Sequence, residues 1–245
     1  MSDAAGAPGP ESLPVELDAQ ARGALEQVLG LLRSERASVS SVTEPQRAWQ
    51  VHVADSLTGL EVTEFAVATA IADVGSGSGF PGLALAVALP GAQVDLIESV
   101  TRKCDFMRRA AAEAGIGNVR VVNERAETWA GSRAPEGGRE AYEIVTARAV
   151  GRLSTLAELA SPLLREDGLL VAWKGRRSAD EEAELEAAAE RLAMQSREVL
   201  AVGPYAGSRH RHLHVIEKAG PTPEGLPRRP GLAKKRPFGK RRSTG

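Results

Sequence analysis

The chain has 245 residues, of which 42% are hydrophobic and 26% charged, with one cysteine and a formal net charge of −1. A single cysteine excludes a disulfide framework and a cysteine-rich zinc site, and it suits a reducing compartment. Residues 1–11 lack the basic start and apolar run of a signal peptide, and no apolar stretch reaches bilayer length. We therefore expect a cytoplasmic protein with no membrane partner.

The charge is distributed unevenly along the chain. Residues 221–245 contain eight Lys or Arg and one Glu, a charge of +7, so the other 220 residues carry −8. A basic segment on an acidic body is typical of proteins that bind a polyanion. The charge pattern therefore predicts a nucleic-acid partner.

Composition and hydrophobic periodicity predict the elements in chain order. Residues 1–12 are rich in Gly, Pro and Ala and are expected to be disordered. Residues 13–64 are expected to form a helical extension, with helices at 15–33 and 45–60. Strands are then predicted at 69–74, 92–98, 118–122, 142–147 and 168–174, alternating with helices at 80–89, 101–114, 153–164 and 179–194.

Two last strands, 196–202 and 210–218, are close enough in sequence to form an antiparallel hairpin. The βα alternation before them predicts an α/β fold with a parallel, doubly wound sheet. The predicted sheet domain spans residues 65–218. A basic tail containing Pro and Gly follows it, at 219–245.

The densest motif is D-V-G-S-G-S-G-F-P-G at residues 73–82, between the first predicted strand and its helix. Glycines there allow positive φ and close backbone approach, and the N-terminus of a helix offers free N–H groups to a ligand. Gly77, Gly79 and Gly82 also satisfy the dinucleotide-binding pattern, with Glu98 at the end of the second strand placed to bind ribose hydroxyls. The loop therefore predicts a nucleotide-like ligand.

Three features favour S-adenosylmethionine over NAD as that ligand. Asp73 precedes the glycines, where an acid suits a cationic amino or sulfonium group better than a pyrophosphate. A dehydrogenase needs a substrate domain after its dinucleotide fold, and little chain follows the fifth strand. The antiparallel hairpin is the ending expected of the methyltransferase version of the fold. An NAD-dependent oxidoreductase is the alternative.

Two catalytic features that the sequence lacks restrict the possible methyl acceptors. Methylation of pyrimidine C5 needs a cysteine nucleophile, and Cys104 lies on the helix after the second strand. Methylation of an exocyclic amine usually uses an Asn/Asp-Pro-Pro-aromatic clamp after the fourth strand, where this chain reads T-A-R-A-V at 146–150. A ring nitrogen such as guanine N7 needs neither, because alignment and electrostatic support are enough.

Several motifs together resemble the RsmG (GidB) methyltransferases over about residues 13–237. They are the glycine motif at 73–82, R-A-E (125–127), A-R-A (147–149), W-K-G (173–175), R-H-L (211–213) and P-R-R-P-G-L-A-K-K-R-P (227–237). The resemblance implies a Rossmann-like class I S-adenosylmethionine-dependent methyltransferase fold. It also implies an enzyme that makes N7-methylguanosine in the 16S ribosomal RNA of the small subunit, without a metal.

The resemblance implies the residues that bind the cofactor. Glu98 resembles the ribose-binding acid, and Ala126 and Glu127 occupy the position against adenine. The full expected set is Asp73, Gly75, Gly77, Phe80, Glu98, Ala126, Glu127 and Arg148.

Three residues are expected near the reacting groups. Arg148 would hold the methionine carboxylate or an RNA phosphate, since a guanidinium suits both, and a surface salt bridge at a strand end is the alternative. Lys174 would hold guanine O6 or a phosphate, or be a solvated lysine. His52 shares a helix face with Asp55 and would line the RNA cleft, or form a structural pair with it. The N-terminal helical region departs from the family pattern. Ser38-Val39-Ser40 stands where the family has Asn-Leu-Thr, and Val51-His52 stands where the family has Arg-His.

The basic residues expected to bind RNA are Arg211, Arg228, Arg229, Lys234, Lys235 and Arg236. Contacts of this kind supply affinity without reading sequence. We expect truncation after Ala219 to weaken RNA binding and its salt dependence and to spare cofactor affinity. A disordered, solubilising tail is the alternative.

The sequence therefore predicts a monomeric enzyme that binds S-adenosylmethionine and methylates 16S ribosomal RNA, free or within an assembling small subunit. A non-catalytic ribosome assembly factor is a further alternative, besides the oxidoreductase.

Overall fold

The N-terminal part of the protein is helical. In a computed structural model, residues 13–35 and 44–239 are described, so the expectations for residues 1–12 and for Ser38-Val39-Ser40 lie outside the described residues. Asp18 caps the first helix, because its side chain accepts a hydrogen bond from the Ala21 N–H at 2.7 Å. The elements are α1 (Ala19–Ser34), α2 (Pro45–Ala48), a π-helix (Trp49–Ala54), α3 (Asp55–Leu57) and two 3₁₀ turns (Thr58–Glu61 and Thr63–Ala66).

The centre of the protein is a seven-stranded sheet. Its strands are β1 (Ala70–Val74), β2 (Gln93–Ile97), β3 (Val119–Val122), β4 (Tyr142–Arg148), β5 (Leu164–Lys174), β6 (Met194–Ala201) and β7 (His212–Lys218). The spatial order is β3-β2-β1-β4-β5-β7-β6, with the first five parallel and β7 antiparallel to both neighbours. The predicted hairpin is confirmed. The strand order reverses between β1 and β4, where open α/β sheets bind ligands.

Helices cover both faces of the sheet. They are α4 (Gly82–Ala88), α5 (Thr101–Glu113), α6 (Ala126–Trp129), α7 (Leu153–Ala160), α8 (Ala179–Leu192) and α9 (Leu232–Lys235). One core lies under α1, α4 and α5, and the other under α6, α7 and α8. Because both faces are covered, the central parallel strands are apolar over most of their length. The N-terminal helices share the first core, and the three boundaries between the four predicted segments remain predictions.

Two helices end two or more residues earlier than their hydrophobic pattern predicts, and the one-turn helices α6 and α9 were missed. α7 ends at Ala160 and does not reach residue 164, because Pro162 has no N–H with which to continue the helix. α8 ends at Leu192, since Ala193 adopts the left-handed conformation with φ +49°. α6 is a single turn, too short to show a helical period. None of the helices in residues 13–35 and 44–239 is long and apolar enough to cross a bilayer.

Candidate active site

The glycine loop, residues 75–82, joins β1 to α4. Gly75 has φ +71°, and a Cβ at this position would lie 2.7 Å from Cγ2 of Val150. Only glycine therefore lets this loop approach the loop after β4. At Gly82 a Cβ would overlap Leu96 and lie 3.0 Å from the Asp73 carboxylate. The two glycines hold the loop tightly between neighbouring strands.

Asp73 is the buried acid at the end of β1. Its carboxylate accepts hydrogen bonds from the Gly82 N–H at 3.1 Å and from the Thr146 hydroxyl at 3.0 Å. Burial raises the pKa of Asp73 to about 6, although both hydrogen bonds act in the opposite direction. The side chain thus ties β1 to α4 and β4. Direct contact with a cofactor stays a prediction.

Glu98 follows β2 and turns back toward the glycine loop. Its carboxylate accepts hydrogen bonds from the N–H groups of Gly77 at 3.2 Å and Val100 at 2.9 Å. The Lys103 ammonium lies 3.8 Å away. A carboxylate has about four acceptor positions, so Glu98 can still accept hydrogen bonds from ligand hydroxyls.

A cavity of about 350 Å³ lies beside the glycine loop, and we call it the glycine-loop cavity. It opens at the carboxyl ends of β1 and β2 and is bordered by α6 and α7. Four predicted cofactor contacts line it: Gly75, Glu98, Ala126 and Glu127. One more side is closed by residues from the end of the chain: Gly231, Ala233, Lys234 and Lys235.

The loop after β4, residues 148–151, separates this cavity from a second one, and we call it the divide loop. Arg148, Ala149 and Gly151 line the second cavity, whereas Val150 lines the glycine-loop cavity. Ala149 has φ +60°, an uncommon conformation for alanine. Successive residues of one short loop therefore border both cavities.

The second cavity, of about 210 Å³, is organised by one buried carboxylate, and we call it the arginine cavity. Arg148 donates a hydrogen bond to Asp55 at 2.9 Å, and the Arg211 Nε lies 3.8 Å from the other carboxylate oxygen. Arg148 also donates to the carbonyl of Val51 at 3.0 Å. The pair is largely buried, unlike the surface salt bridge of the alternative, and it orients the guanidinium at the cavity wall. The predicted role of Arg148 stays a prediction.

Lys174 and His212 also line the arginine cavity. The Lys174 ammonium donates to the carbonyl of Gly151 at 2.9 Å and lies 2.7 Å from Glu181. The His212 Nδ1 lies 2.8 Å from the carbonyl of Gly175. The cations of Arg148, Arg211 and Lys174 outnumber the carboxylates of Asp55 and Glu181, so the cavity suits an anionic or electron-rich ligand.

Trp173 holds the N-terminal helices beside the arginine cavity. Its indole N–H donates to the carbonyl of Asp55 at 2.8 Å and lies 3.2 Å from the Thr58 hydroxyl. A Cβ on Gly59 would lie 2.6 Å from the indole ring, so the close approach requires glycine. Trp173 therefore positions the backbone of the acid that orients Arg148 and Arg211. The sequence showed it only within a motif, as a tryptophan at the end of a central strand.

His52 and Phe80 pack against each other, with ring centroids 5.2 Å apart, and both are buried. Burial, and then the charge of Arg148, lowers the pKa of His52 to about 4. The imidazole is therefore neutral at physiological pH. The predicted roles of His52 in the RNA cleft and of Phe80 in cofactor binding stay predictions.

Cys104 is buried in α5. Its thiol donates to the carbonyl of Glu98 at 3.1 Å, and burial raises its pKa. The thiolate is the nucleophilic form of cysteine, so this residue is unsuited to covalent catalysis. Within the described ranges, no group of three or more His, Cys, Asp or Glu could hold a metal ion.

The tail packs on the body as far as Gly239. The Arg228 guanidinium forms a two-pronged ion pair with the buried Glu158, with Nε 2.6 Å from Oε1. Its predicted contact with RNA stays untested. The side chains of Arg229, Lys234, Lys235 and Arg236 are exposed. Tail residues line the glycine-loop cavity. The expectation that truncation after Ala219 spares cofactor affinity stays a prediction.

Comparison with known proteins agrees with this geometry. The family model described as rRNA small subunit methyltransferase G (GidB) matches residues 27–213. The chain belongs to this family. A curated member, the ribosomal RNA small subunit methyltransferase G of Desulfitobacterium hafniense (strain Y51), is 34% identical over 205 residues, which cover 84% of this chain and 83% of the relative. The predicted membership of the rRNA small subunit methyltransferase G family is confirmed.

Solved structures show the same fold. A predicted O-methyltransferase of Agrobacterium tumefaciens is 25% identical and matches with a TM-score of 0.51, over 62% of this chain and 74% of its own. A mutant of MtNAS in complex with S-adenosylmethionine is 11% identical and also matches with a TM-score of 0.51, over 82% of this chain and 73% of its own. The predicted Rossmann-like methyltransferase fold is confirmed, and with it an S-adenosylmethionine-dependent enzyme of the rRNA small subunit methyltransferase G family.

Proposed function

We propose that the protein transfers the methyl group of S-adenosylmethionine to N7 of a guanine in the 16S ribosomal RNA of the small subunit. The observation that carries this proposal is the pair of cavities on the two sides of the divide loop. The glycine-loop cavity would hold the methyl donor, and the arginine cavity would receive the acceptor nucleotide. The glycine-loop cavity lies at the strand ends where the sheet reverses its order, and the arginine cavity lies next to it at the ends of β4 and β5.

The residues of the glycine-loop cavity fit S-adenosylmethionine. Glu98 has acceptor capacity left for ribose hydroxyls. The lining combines acids (Glu98, Glu124 and Glu127) with cations (Arg125, Lys234 and Lys235), which suits a ligand that carries both a sulfonium and a carboxylate. Gly75 leaves open the space that a Cβ would fill against Val150. When bound, S-adenosylmethionine supplies an electrophilic methyl group. The divide loop would keep the methyl-bearing side of the bound S-adenosylmethionine toward the acceptor nucleotide.

The arginine cavity supplies orientation and charge rather than a nucleophile or a base. A guanine N7 has its own lone pair, so no group of this chain needs to remove a proton before transfer. Arg148 would hold a phosphate of the bound nucleotide, and Lys174 would hold a phosphate or guanine O6. The neutral His52 beside them adds no positive charge as the guanine becomes cationic.

The RNA partner would approach over the exposed cations next to this cavity and on the tail. Arg229, Lys234, Lys235 and Arg236 would bind phosphates, and Arg211 would act at the cavity itself. The enzyme is proposed to act as a cytoplasmic monomer on RNA that is free or partly assembled into the small subunit.

The test is transfer of a tritiated methyl group to small-subunit RNA, followed by mass spectrometry of the digested nucleosides. We expect labelled N7-methylguanosine from both naked RNA and subunits, or from one of them. A label on another atom would overturn guanine N7 as the proposed methyl acceptor. Binding of S-adenosylmethionine and RNA without transfer would favour an assembly factor, and binding of NAD alone would favour an oxidoreductase.

A further inference from the structure

Residues 226–238 form a segment that crosses the protein beside the glycine-loop cavity, and we call it the C-terminal strap. Leu226 and Ala233 are buried, whereas Arg229 and the cations at 234–236 are exposed. The strap thus packs on the body through its buried residues and exposes its cations, two of which, Lys234 and Lys235, border the cavity.

Two contacts anchor the strap away from the cavity. Arg228 pairs with Glu158 on α7 through both carboxylate oxygens, and its guanidinium also donates to the carbonyl of Arg236 at 2.9 Å. The Phe238 ring lies between two guanidinium groups, 3.9 Å from that of Arg228 and 4.3 Å from that of Arg191. Arg228 therefore joins the start of the strap to its end.

Two hydrogen bonds hold the strap at the cavity itself. The Gly231 N–H donates to the Glu127 carboxylate at 2.6 Å, and the Thr155 hydroxyl donates to the carbonyl of Ala233 at 3.4 Å. Gly231, Ala233, Lys234 and Lys235 line the cavity together with Gly75 and Glu98. The strap is thus one of the cavity walls.

We propose that the C-terminal strap is part of the S-adenosylmethionine site and that its release from α7 limits exchange of the cofactor. The inference rests on the proposed function, because it takes the glycine-loop cavity as the site of that cofactor. A ligand in the cavity lies between the strap and the glycine loop. The strap contacts would therefore be broken before the ligand leaves and would slow its dissociation.

The anchoring pair supplies the test. The double variant Arg228→Met/Glu158→Met removes both charges, so no lone charge is left buried. The control is Arg197→Met/Glu64→Met, which removes a more exposed ion pair, 2.6 Å apart, whose members line neither cavity. We expect the double variant to release S-adenosylmethionine on the order of tenfold faster, since affinity changes within one binding site act mostly on dissociation. The control should stay within about twofold of the wild type.

Dissociation is measured by stopped-flow displacement with full-length protein, alongside the melting temperature. Hydrogen exchange in the wild type gives a second readout that needs no variant. The amides of Gly231, Leu232 and Ala233 should exchange more slowly once S-adenosylmethionine is bound.

An unchanged dissociation rate in a folded double variant would overturn the strap inference, and so would unchanged exchange at these amides in a wild type that binds the cofactor. A wild type that binds no S-adenosylmethionine would overturn the proposed function and the strap inference together. The two failures are therefore distinguishable.

Discussion

The two cavities beside the divide loop are closed by opposite ends of the chain. The arginine cavity is completed by the N-terminal helices, whose Asp55 is buried between two arginines of the sheet domain. The glycine-loop cavity is completed by the C-terminal strap. Its lining contains three acids and three cations: Glu98, Glu124, Glu127, Arg125, Lys234 and Lys235. The sheet places the two cavities side by side, and a different end of the chain closes each of them. We therefore expect a substitution at one cavity to impair the function of that cavity and to leave the other cavity intact.

The largest expected effect is on the glycine-loop side. Gly75→Asp places a side chain into Val150 at a backbone φ of +71° and adds a charge beside the cofactor. We expect calorimetry to detect no S-adenosylmethionine binding, and methylation to be lost. The control is Gly91→Asp, since a Cβ on Gly91 meets nothing within 4 Å. Normal cofactor binding by Gly75→Asp would mean that the cofactor does not occupy this cavity.

A change on the arginine side should separate RNA from cofactor. Arg148→Ala removes a cation oriented by Asp55, and we expect kcat/KM for ribosomal RNA to fall on the order of a hundredfold. The Kd for S-adenosylmethionine should change by no more than about threefold. A rise in that Kd of the same size as the loss in kcat/KM would instead place the guanidinium on the methionine carboxylate.

The matched control for Arg148→Ala is Arg165→Ala. Arg165 also pairs with a carboxylate, that of Glu143 at 2.9 Å, but its side chain is 60% exposed. Exposed pairs of this kind contribute little, so both RNA and cofactor constants should stay near the wild-type values.

Acid should destabilise the arginine side through His52. The pKa of His52 is lowered from 6.5 to about 4, so the unfolded chain binds the proton first as pH falls from 6.5 to 4. The lowered pKa of His52 therefore reduces the free energy of unfolding by up to about 3 kcal/mol at pH 4. Asp73 opposes it, because its raised pKa makes the folded state bind a proton between pH 6 and 3.8.

The variant His52→Phe separates the contribution of His52 to the pH dependence of stability from that of Asp73. It keeps an aromatic ring against Phe80 and removes the titrating group. Urea unfolding at pH 6.5 and 4.5 should show a wild type that loses about 2 kcal/mol more than the variant does between these two values. Equal losses in the two proteins would contradict the lowered pKa.

The smallest expected effect is at alkaline pH, at the start of the tail. Lys218 is fully buried and donates to the carbonyl of Leu164 at 2.7 Å and to the Thr222 hydroxyl at 2.6 Å. Burial lowers its pKa from 10.5 to about 8, so the unfolded chain holds the proton longer as pH rises. Stability should therefore rise by about 1 kcal/mol between pH 8 and 9 in the wild type. Lys218→Met should not show this rise in urea unfolding. An equal change of stability with pH in the two proteins would contradict the lowered pKa of Lys218.

The elements of the sheet could be predicted because each is specified locally. Apolar runs marked the central strands, and the spacing of glycines after Asp73 marked the turn where the ligand cavity lies. The end of α7 could have been placed at Pro162 by the same local chemistry. One-turn helices such as α6 leave no period to detect.

The closing of the cavities could not be predicted, because it depends on residues far apart in sequence. Asp55 and Arg148 are 93 residues apart, and Glu127 and Gly231 are 104 apart. Charge counting assigned Arg228 to RNA because a cation in a basic tail looks solvated. Its partner Glu158 is a buried acid on α7, and no pattern in the sequence links the two.

Surface loops usually tolerate insertions, but the divide loop should not. Its residues alternate between two cavities, and Val150 lies in contact range of the space that Gly75 leaves empty. One added residue between Arg148 and Gly151 would exchange which side chains face each cavity and widen the wall between them. The length of this loop, more than the identity of its residues, would then fix the distance that a group must travel between donor and acceptor.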